Sequence, residues 1–250
     1  MNMINQLGRL YGLVKYNRDW LRYLFRRYQN ASNSGLTTYR LRNGQIITLR
    51  DDGRFTLNEI YLDRLYDVPD TDISSCRSVL DIGANVGAFA LYMASRAPEA
   101  TIHCFEPESS NFEILQKNLI RAGIRATAHK LAVSASSGVG YLGLQGTSVE
   151  YSLAVAGDHS QKVECIDWDG VFHLAGVKCF DFVKMDIEGT EREILTTCTD
   201  AQLRQMRILS LEWHHSREEL ASLADRFRRL GFDAKAEIFG DHRYLKAHRV

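Results

Sequence analysis

From Ser78 onward, short apolar runs alternate with longer segments that have helical spacing of apolar and polar positions. This alternation is typical of βαβ units, so the sequence predicts an α/β fold around a mostly parallel sheet. The predicted strands lie near residues 78–82, 101–105, 125–131, 180–185 and 207–212. The predicted helices lie near residues 87–96, 110–122, 189–199 and 216–230.

One of these helices has a recognisable start signal. Ser110 is followed three residues later by Glu113, which is the spacing of a capping box, and Pro107 lies just upstream. We therefore expect Ser110 to cap the helix over residues 110–122.

The pattern changes again near the end of the sequence. Residues 236–239 and 243–247 are two short strand-like runs, and Gly240 and Asp241 stand between them at a turn. The sequence predicts a terminal antiparallel hairpin on an otherwise parallel sheet.

The first 54 residues differ from the rest and are predicted to form a separate N-terminal element, followed by one domain over residues 55–250. Residues 1–30 interleave apolar residues with arginines at helical spacing, which predicts a basic amphipathic helix. Such a helix either packs on the domain or a partner subunit, or contacts an anionic lipid surface. Residues 37–57 predict a small β element, and a short helix is expected over residues 57–66.

Composition excludes several classes of protein. Acidic and basic residues balance at 31 each, so no overall positive charge would attract nucleic acid. The five cysteines contain no C-x-x-C pair, which disfavours a zinc knuckle or a disulfide framework. The sequence shows neither a signal peptide nor a membrane-spanning run. These features predict a cytoplasmic protein, with residues 1–30 offering a peripheral contact at the inner membrane surface.

The first strand of the α/β region ends in an unusual loop. Asp81 closes the apolar run, and Gly83 and Gly87 follow it in the pattern D-x-G-x-N-x-G. This spacing differs from the G-x-G-x-x-G pattern that binds a pyrophosphate. Glu106 ends the next strand, where an acidic residue accepts hydrogen bonds from ribose hydroxyls. Two carboxylates at one loop favour S-adenosylmethionine, which is cationic and free of phosphate, over a dinucleotide.

Three motifs together resemble the FkbM-type family of S-adenosylmethionine-dependent methyltransferases. They are SVLDIGANVGAFALYMA from Ser78, CFEPESSNFEILQKNL from Cys104 and FVKMDIEGTEREIL from Phe182, and the resemblance covers roughly residues 55–215. It implies a Rossmann-like seven-stranded methyltransferase fold with a reversed last strand. It also implies that the cofactor is bound by Asp81, Gly83, Ala84, Asn85, Gly87, Glu106, Pro107, Ala132 and Val133. Glu106 would hold the ribose hydroxyls, and Ala132 and Val133 would flank the adenine.

The candidate catalytic residues lie at two later strand ends. Asp186 and Glu188 are two positions apart, as are Glu212 and His214, so each pair shares a face while the chain stays extended. Asp186 or His214 could act as general base, with Glu188 beside them as a third candidate catalytic residue.

Two other roles remain open for these residues. Asp186, Glu188 and Glu212 could hold a divalent cation such as Mg²⁺, which suits oxygen ligands. Alternatively, Glu188 binds the amides of its own helix or pairs with Lys184, and His214 only caps a loop. His103, His173 and His242 are predicted to be structural.

The resemblance implies O-methylation, with a hydroxyl of a saccharide or a secondary metabolite as the acceptor. Residues 142–152 are rich in glycine and hydroxyl groups and are either a substrate loop or a plain surface hairpin. Two rival functions are an NAD-type oxidoreductase and a catalytically silent binding module with the same fold. The oligomeric state is left open by the sequence.

Overall fold

A computed structural model of the protein describes residues 3–28, 35–53, 55–143, 152–154 and 160–250. The eight α-helices among these described residues are α1 (Met3–Tyr16), α2 (Trp20–Tyr28), α3 (Ala88–Arg96), α4 (Ser109–Ala122), α5 (Trp168–Ala175), α6 (Glu191–Thr197), α7 (Asp200–Leu203) and α8 (Arg217–Arg229). The strands are β1 (Leu36–Arg40), β2 (Ile46–Arg50), β3 (Ser78–Ile82), β4 (Thr101–Phe105), β5 (Ala126–His129), β6 (Ala132–Val133), β7 (Gly138–Gly143), β8 (Ser152–Ala154), β9 (Ser160–Ile166), β10 (Phe180–Met185), β11 (Met206–Glu212), β12 (Phe232–Phe239) and β13 (His242–Arg249).

The centre of the molecule is a seven-stranded sheet with the order β12-β13-β11-β10-β3-β4-β5. The strands from β11 to β5 are parallel, while β13 runs antiparallel to both β11 and β12. The predicted α/β fold and its terminal hairpin are therefore confirmed. The central strands are buried on both faces, which explains why they appear in the sequence as continuous apolar runs.

A second sheet, with the order β6-β9-β7-β8, lies outside the sequence prediction. Its strands are short or partly exposed, and the apolar pattern there is correspondingly weak. The predicted strand over residues 125–131 corresponds to the shorter strand β5 of the central sheet, and β6 of the second sheet begins just after the predicted range. Within residues 142–152, positions 144–151 lie outside the described residues, and the flanking strands β7 and β8 pair antiparallel.

The predicted capping box at the start of α4 is wrong. The helix begins one residue earlier, at Ser109, and its N-cap is Glu108. The Glu108 carboxylate accepts hydrogen bonds from the backbone N–H groups of Ser110 and Asn111, at 3.0 and 2.7 Å. A carboxylate satisfies the free amides of a helix start as well as a hydroxyl does, and its charge also suits the positive end of the helix dipole.

The N-terminal segment forms two helices in place of the single helix predicted. Helix α1 ends at Tyr16, and Asn17 forms a β-bridge with Leu41 before α2 begins. Leu13 and Tyr23 are buried in the same hydrophobic core as β1, β2 and α3, so these helices pack on the domain. No helix among the described residues has the length and apolar character needed to cross a membrane. Helix α2 exposes Leu21 and Phe25, and contact with a lipid surface stays a prediction, as does a domain boundary at residue 54.

The short helix expected over residues 57–66 is a π-helical turn, Asn58–Leu62. Asn58 is buried there between the two N-terminal helices. Its side-chain oxygen accepts a hydrogen bond from the Tyr16 hydroxyl at 2.6 Å, and its side-chain nitrogen donates one to the Tyr23 hydroxyl at 2.8 Å. One amide therefore joins α1 and α2 to this turn.

Candidate functional site

A cavity of about 620 Å³ opens at the carboxyl ends of β3, β4, β10 and β11. This is the edge at which parallel α/β sheets bind their ligands. One half of the cavity is lined by the glycine loop and by apolar groups, and the other half is lined mainly by ionisable groups. The first half includes Ile82, Gly83, Ala84, Asn85, Phe105, Glu106, Pro107, Leu131, Ala132, Val133 and Leu142. The second includes Glu59, Tyr66, Lys184, Asp186, Glu188, Glu212, His214, Asp241 and His242.

Gly83 brings the ends of β3 and β10 together. Its φ is +74°, and a Cβ atom at this position would lie 1.7 Å from the backbone oxygen of Asp186. The Asp186 N–H in turn donates to the Ile82 oxygen at 3.1 Å. Only glycine allows both this backbone conformation and this close approach.

Gly87, which the sequence assigned to the cofactor, does not line the cavity. It is the N-cap of α3, with φ at +88°, and a Cβ atom there would lie 2.7 Å from the Leu115 side chain. Its role in the structure is to let α3 start close to α4.

Asp81 is likewise behind the cavity wall and not on it. The side chain is fully buried, and its Oδ1 lies 3.5 Å from Nζ of Lys184. Burial raises the pKa of Asp81, while the charge of Lys184 opposes that rise. Lys184 also donates to the Gly83 oxygen at 2.7 Å. Asp81 therefore lies beside Lys184 beneath the glycine loop, and its predicted contact with a ligand stays a prediction.

Glu106 lies on the cavity wall, as predicted. Its Oε2 accepts a hydrogen bond from the Asn85 N–H at 2.8 Å, and its Oε1 accepts one from the Glu108 N–H at 2.9 Å. Burial raises the pKa of Glu106 to about 7, against the lowering effect of these two bonds. The carboxylate is thus oriented by the backbone and keeps further lone pairs for hydroxyl donors.

Ala132 and Val133 form strand β6 and are buried on the cavity wall. Phe105, Leu131 and Leu142 line the same region. The family resemblance implies that the adenine of the cofactor lies in this apolar slot beside Glu106.

Tyr66 connects two carboxylates in the other half of the cavity. Its hydroxyl lies 2.8 Å from Asp186 Oδ2 and 3.1 Å from Glu212 Oε2, so its single proton is shared between them. Burial and then the charge of Asp186 raise the pKa of Glu212. The charge of Lys184, 3.5 Å from Asp186 Oδ2, partly balances this acidic group.

His214 is held between two glutamates. Its Nδ1 lies 2.6 Å from Oε1 of the fully buried Glu191, and its Nε2 lies 3.2 Å from Oε2 of Glu188. Burial alone would lower the pKa of His214, but the hydrogen bond to Glu191 and the charges of both glutamates raise it to about 9. The imidazole is therefore protonated at neutral pH, which disfavours His214 as a general base.

The structural roles considered for Glu188 are taken by other residues. The Glu191 carboxylate accepts hydrogen bonds from the N–H groups of Ile187 and Gly189, while Lys184 forms ion pairs with Asp81 and Asp186. The chain is not extended here, because β10 ends at Met185 and Glu188 has a φ of +54°. Burial and then the charge of Asp186 raise the pKa of Glu188 to about 8.

His242, which was predicted to be structural, starts β13 and lines the cavity, with Nδ1 at 2.6 Å from Glu212 Oε1. Glu59, Tyr66 and Glu191 also belong to the site and were missed. Glu59 and Tyr66 lie in none of the three motifs, and the fold brings them to the ends of β10 and β11. Glu191 lies in the third motif but was not predicted to belong to the site. His103, in contrast, stacks on His129 away from the cavity.

Three donor groups are close enough to share a cation, namely Asp186, Glu212 and His214, whose atoms lie within 4.8 Å of one another. Glu188, which the sequence placed in such a set, is not one of them. Tyr66 and His242 already bind the oxygens of Glu212. The site is therefore satisfied by protein groups, and we propose no metal ion here.

The model of the methyltransferase FkbM domain matches residues 81–234 of this sequence. The chain belongs to the FkbM methyltransferase family. It is similar to the 31-O-demethyl-FK506 methyltransferase FkbM of Streptomyces tacrolimicus, with 27% identity over 80% of this chain and 90% of that protein. It is also similar to the hexuronic acid methyltransferase AglP of Haloferax volcanii, with 27% identity over 54% of each.

Among solved structures, the human methyltransferase 10 domain containing protein aligns over 92% of this chain and 95% of its own, with a TM-score of 0.46 and 15% identity.

Proposed function

We propose that this family member is an S-adenosylmethionine-dependent O-methyltransferase that acts on a hydroxyl of a saccharide or secondary-metabolite acceptor. The observation that carries the proposal is the divided cavity. Its glycine loop, Glu106 and apolar slot suit a nucleoside, and its ionisable half lies directly beside them. The names of the two relatives, a 31-O-demethyl-FK506 methyltransferase and a hexuronic acid methyltransferase, support the acceptor class.

The described residues fit the proposed cofactor chemically. Glu106 offers an oriented carboxylate to the ribose hydroxyls, and the slot at Phe105, Ala132 and Val133 offers apolar surface to the adenine. A bound pyrophosphate would have to lie near Glu106 and near Lys184, whose charge is already shared by Asp81 and Asp186. This arrangement favours a phosphate-free ligand over NAD.

When bound, the cofactor supplies an electrophilic methyl group on a sulfonium. The residues of the chain then have to orient the acceptor hydroxyl and receive its proton. Asp186, Glu188 and His214 are the predicted catalytic residues, and all three line the half of the cavity where the acceptor would lie. Because His214 is protonated at neutral pH, we assign it to orienting Glu188 and binding acceptor oxygens. A carboxylate is then the proton acceptor.

Calorimetric titration with S-adenosylhomocysteine tests the cofactor assignment. We expect wild-type binding and a loss of about 10- to 100-fold in affinity for Glu106→Gln, since one charge-assisted hydrogen bond contributes about 1.5–3 kcal/mol. The substitution keeps the shape of the side chain. NADH and NADPH serve as competing ligands. Binding of either one in place of S-adenosylhomocysteine would favour the oxidoreductase, and binding without turnover would favour the silent module.

Methyl transfer is tested with radiolabelled S-adenosylmethionine on three kinds of probe. These are methyl glycosides of neutral hexoses, methyl glycosides of hexuronic acids, and hydroxylated macrolides. Product analysis then shows whether the label is on oxygen. Turnover in EDTA equal to turnover in Mg²⁺ is expected, because protein groups already satisfy the carboxylates at the ends of β10 and β11.

A further inference from the structure

Glu59 is a further carboxylate in the ionisable half of the cavity, beside Asp186, Glu188, Glu212 and Asp241. It lies on the π-helical turn Asn58–Leu62, so it comes from the N-terminal part of the chain and not from the central sheet. It is close enough to Asp186 and Glu212 for their charges to act on it. Asp186 follows β10, which pairs with the strand β3 that precedes the glycine loop, and Glu212 ends the next strand, β11.

The carboxylates at the ends of β10 and β11 already have protein partners. Asp186 accepts from the Tyr66 hydroxyl and faces Lys184. Glu188 is paired with His214, and Glu212 is bonded by Tyr66 and His242. The Glu59 carboxylate, in contrast, accepts no hydrogen bond from any residue in the described part of the chain. Its oxygens are available to a bound hydroxyl group.

The surroundings of Glu59 also give it a suitable proton affinity. Burial, followed by the charges of Asp186 and Glu212, raises the pKa of Glu59 to about 7, while the charge of His242 opposes the rise. A general base is most effective when its pKa lies near the working pH.

The position of Glu59 depends on its neighbour. Asn58 is hydrogen-bonded on both sides, to Tyr16 of α1 and to Tyr23 of α2, and it is 6% exposed. These bonds hold the turn against two helices that have no other described role at the site.

We propose that Glu59 is a catalytic residue that accepts the proton of the acceptor hydroxyl, and that Asn58 is its positioning residue. The acceptor oxygen forms a bond to the methyl carbon while the bond from that carbon to sulfur breaks. Sulfur keeps the electron pair of the broken bond, and the hydroxyl proton passes to Glu59 and then to solvent. This inference rests on the proposed methyl transfer to oxygen.

The test is the pH profile of methyl transfer by Glu59→Gln, on whichever of the probes above the wild type methylates. We expect the wild-type kcat to rise with pH through about 7 as Glu59 loses its proton. In the variant that rise should disappear, kcat should fall by about 100-fold or more, and affinity for S-adenosylhomocysteine should stay unchanged. Glu113→Gln, which makes the same change on the exposed face of α4, should behave like the wild type.

Two further variants test the positioning role. Asn58→Leu removes both hydrogen bonds, and Tyr16→Phe removes one of them while leaving the buried amide in place. We expect each to lower kcat while the rise near pH 7 remains, because Glu59 itself is intact. The milder Tyr16→Phe covers the case in which Asn58→Leu does not fold.

Several results would overturn the inference. One is a wild-type kcat for Glu59→Gln. Another is a lowered kcat that still rises through pH 7, since the titrating base would then be a different group. Failure of the proposed function is distinguishable, because the wild type itself would then bind no S-adenosylhomocysteine or place no label on oxygen.

Discussion

Gly83 and Asp186 lie so close that a Cβ atom on Gly83 would stand 1.7 Å from the Asp186 backbone oxygen. This contact sets the distance between the glycine loop after β3 and the carboxylates after β10. The half of the cavity that is lined by the glycine loop and the ionisable half meet at this point. The loop glycine therefore determines the geometry of the site as much as it determines the turn.

The first prediction concerns Gly83→Ala. The added methyl group has to displace the Asp186 backbone, and we expect it to lower the free energy of unfolding by about 2 kcal/mol more than Gly44→Ala does. Gly44 is the matched control, because its φ is also positive, at +92°, and nothing lies within 4 Å of its Cβ position. The control should cost about 1 kcal/mol, from backbone strain alone.

Urea denaturation of both variants measures this difference, and S-adenosylhomocysteine titration measures its effect on the site. Gly83→Ala should also bind the ligand more weakly, while Gly44→Ala should not. Equal stability of the two variants would show that the contact with Asp186 is not tight in solution.

A second prediction concerns Tyr66→Phe, which removes the proton shared by Asp186 and Glu212. The buried Glu212 and the partly buried Asp186 would then face each other without this donor between them. We expect kcat/KM for methyl transfer to fall by about 10-fold and the apparent pKa of the site to rise. Steady-state kinetics across pH measures both. The variant Tyr11→Phe, at an exposed tyrosine on α1, is the matched control.

A third prediction concerns the hydrogen bond between Glu191 and His214. Since the folded-state pKa of His214, about 9, lies above the unfolded value near 6.5, this contact stabilises the fold fully below pH 6.5. The contribution is lost as pH rises towards 9, and it amounts to at most about 3 kcal/mol.

In Glu191→Gln the His214 pKa should fall, because the charge that holds the imidazolium is removed. Imidazole NMR titration measures the pKa directly. Glu193→Gln, on the exposed side of the same helix, should leave the His214 pKa where it is in the wild type. An unchanged pKa in Glu191→Gln would mean that Glu188 alone stabilises the cation.

A fourth prediction comes from the stacked rings of His103 and His129, whose Nδ1 and Nε2 atoms are 3.2 Å apart. Burial, followed by the charge of His103, lowers the pKa of His129 to about 4. Because the unfolded chain takes up a proton at higher pH than the folded one, stability should fall as pH drops from about 6.5 to about 4.

The slope of unfolding free energy against pH measures this effect. It should be smaller in His129→Gln than in the wild type over the same interval. Parallel slopes in the two proteins would contradict a folded-state preference for neutral His129.

The sequence predicted the central sheet well because its strands are buried on both faces and therefore stand out as apolar runs. The hairpin of β12 and β13 was found from its turn at Gly240 and Asp241. The second sheet escaped prediction because β6 has two residues and β7 is largely exposed, so neither produces a clear period.

The same contrast holds for the candidate site. Asp186 and Glu188 lie in a recognisable motif, and His214 follows a predicted strand. The structure brings all three to one cavity. Glu59 and His242 lie far from any motif and reach the cavity only through the packing of the N-terminal turn and the hairpin. Asp81, conversely, has the motif but is turned inward to Lys184.

The two halves of the cavity come from different parts of the chain. The half lined by the glycine loop, proposed to hold the nucleoside, is built by the loops after β3 and β4 and by β6. Part of the ionisable half, proposed to hold the acceptor, comes from the turn that carries Glu59 and from the hairpin residues Asp241 and His242. These two peripheral segments could therefore be replaced by those of a relative that methylates a different hydroxyl compound, while the residues proposed to bind the nucleoside stay unchanged. Redesign of this scaffold becomes an exchange of surface pieces rather than a rebuilding of its interior.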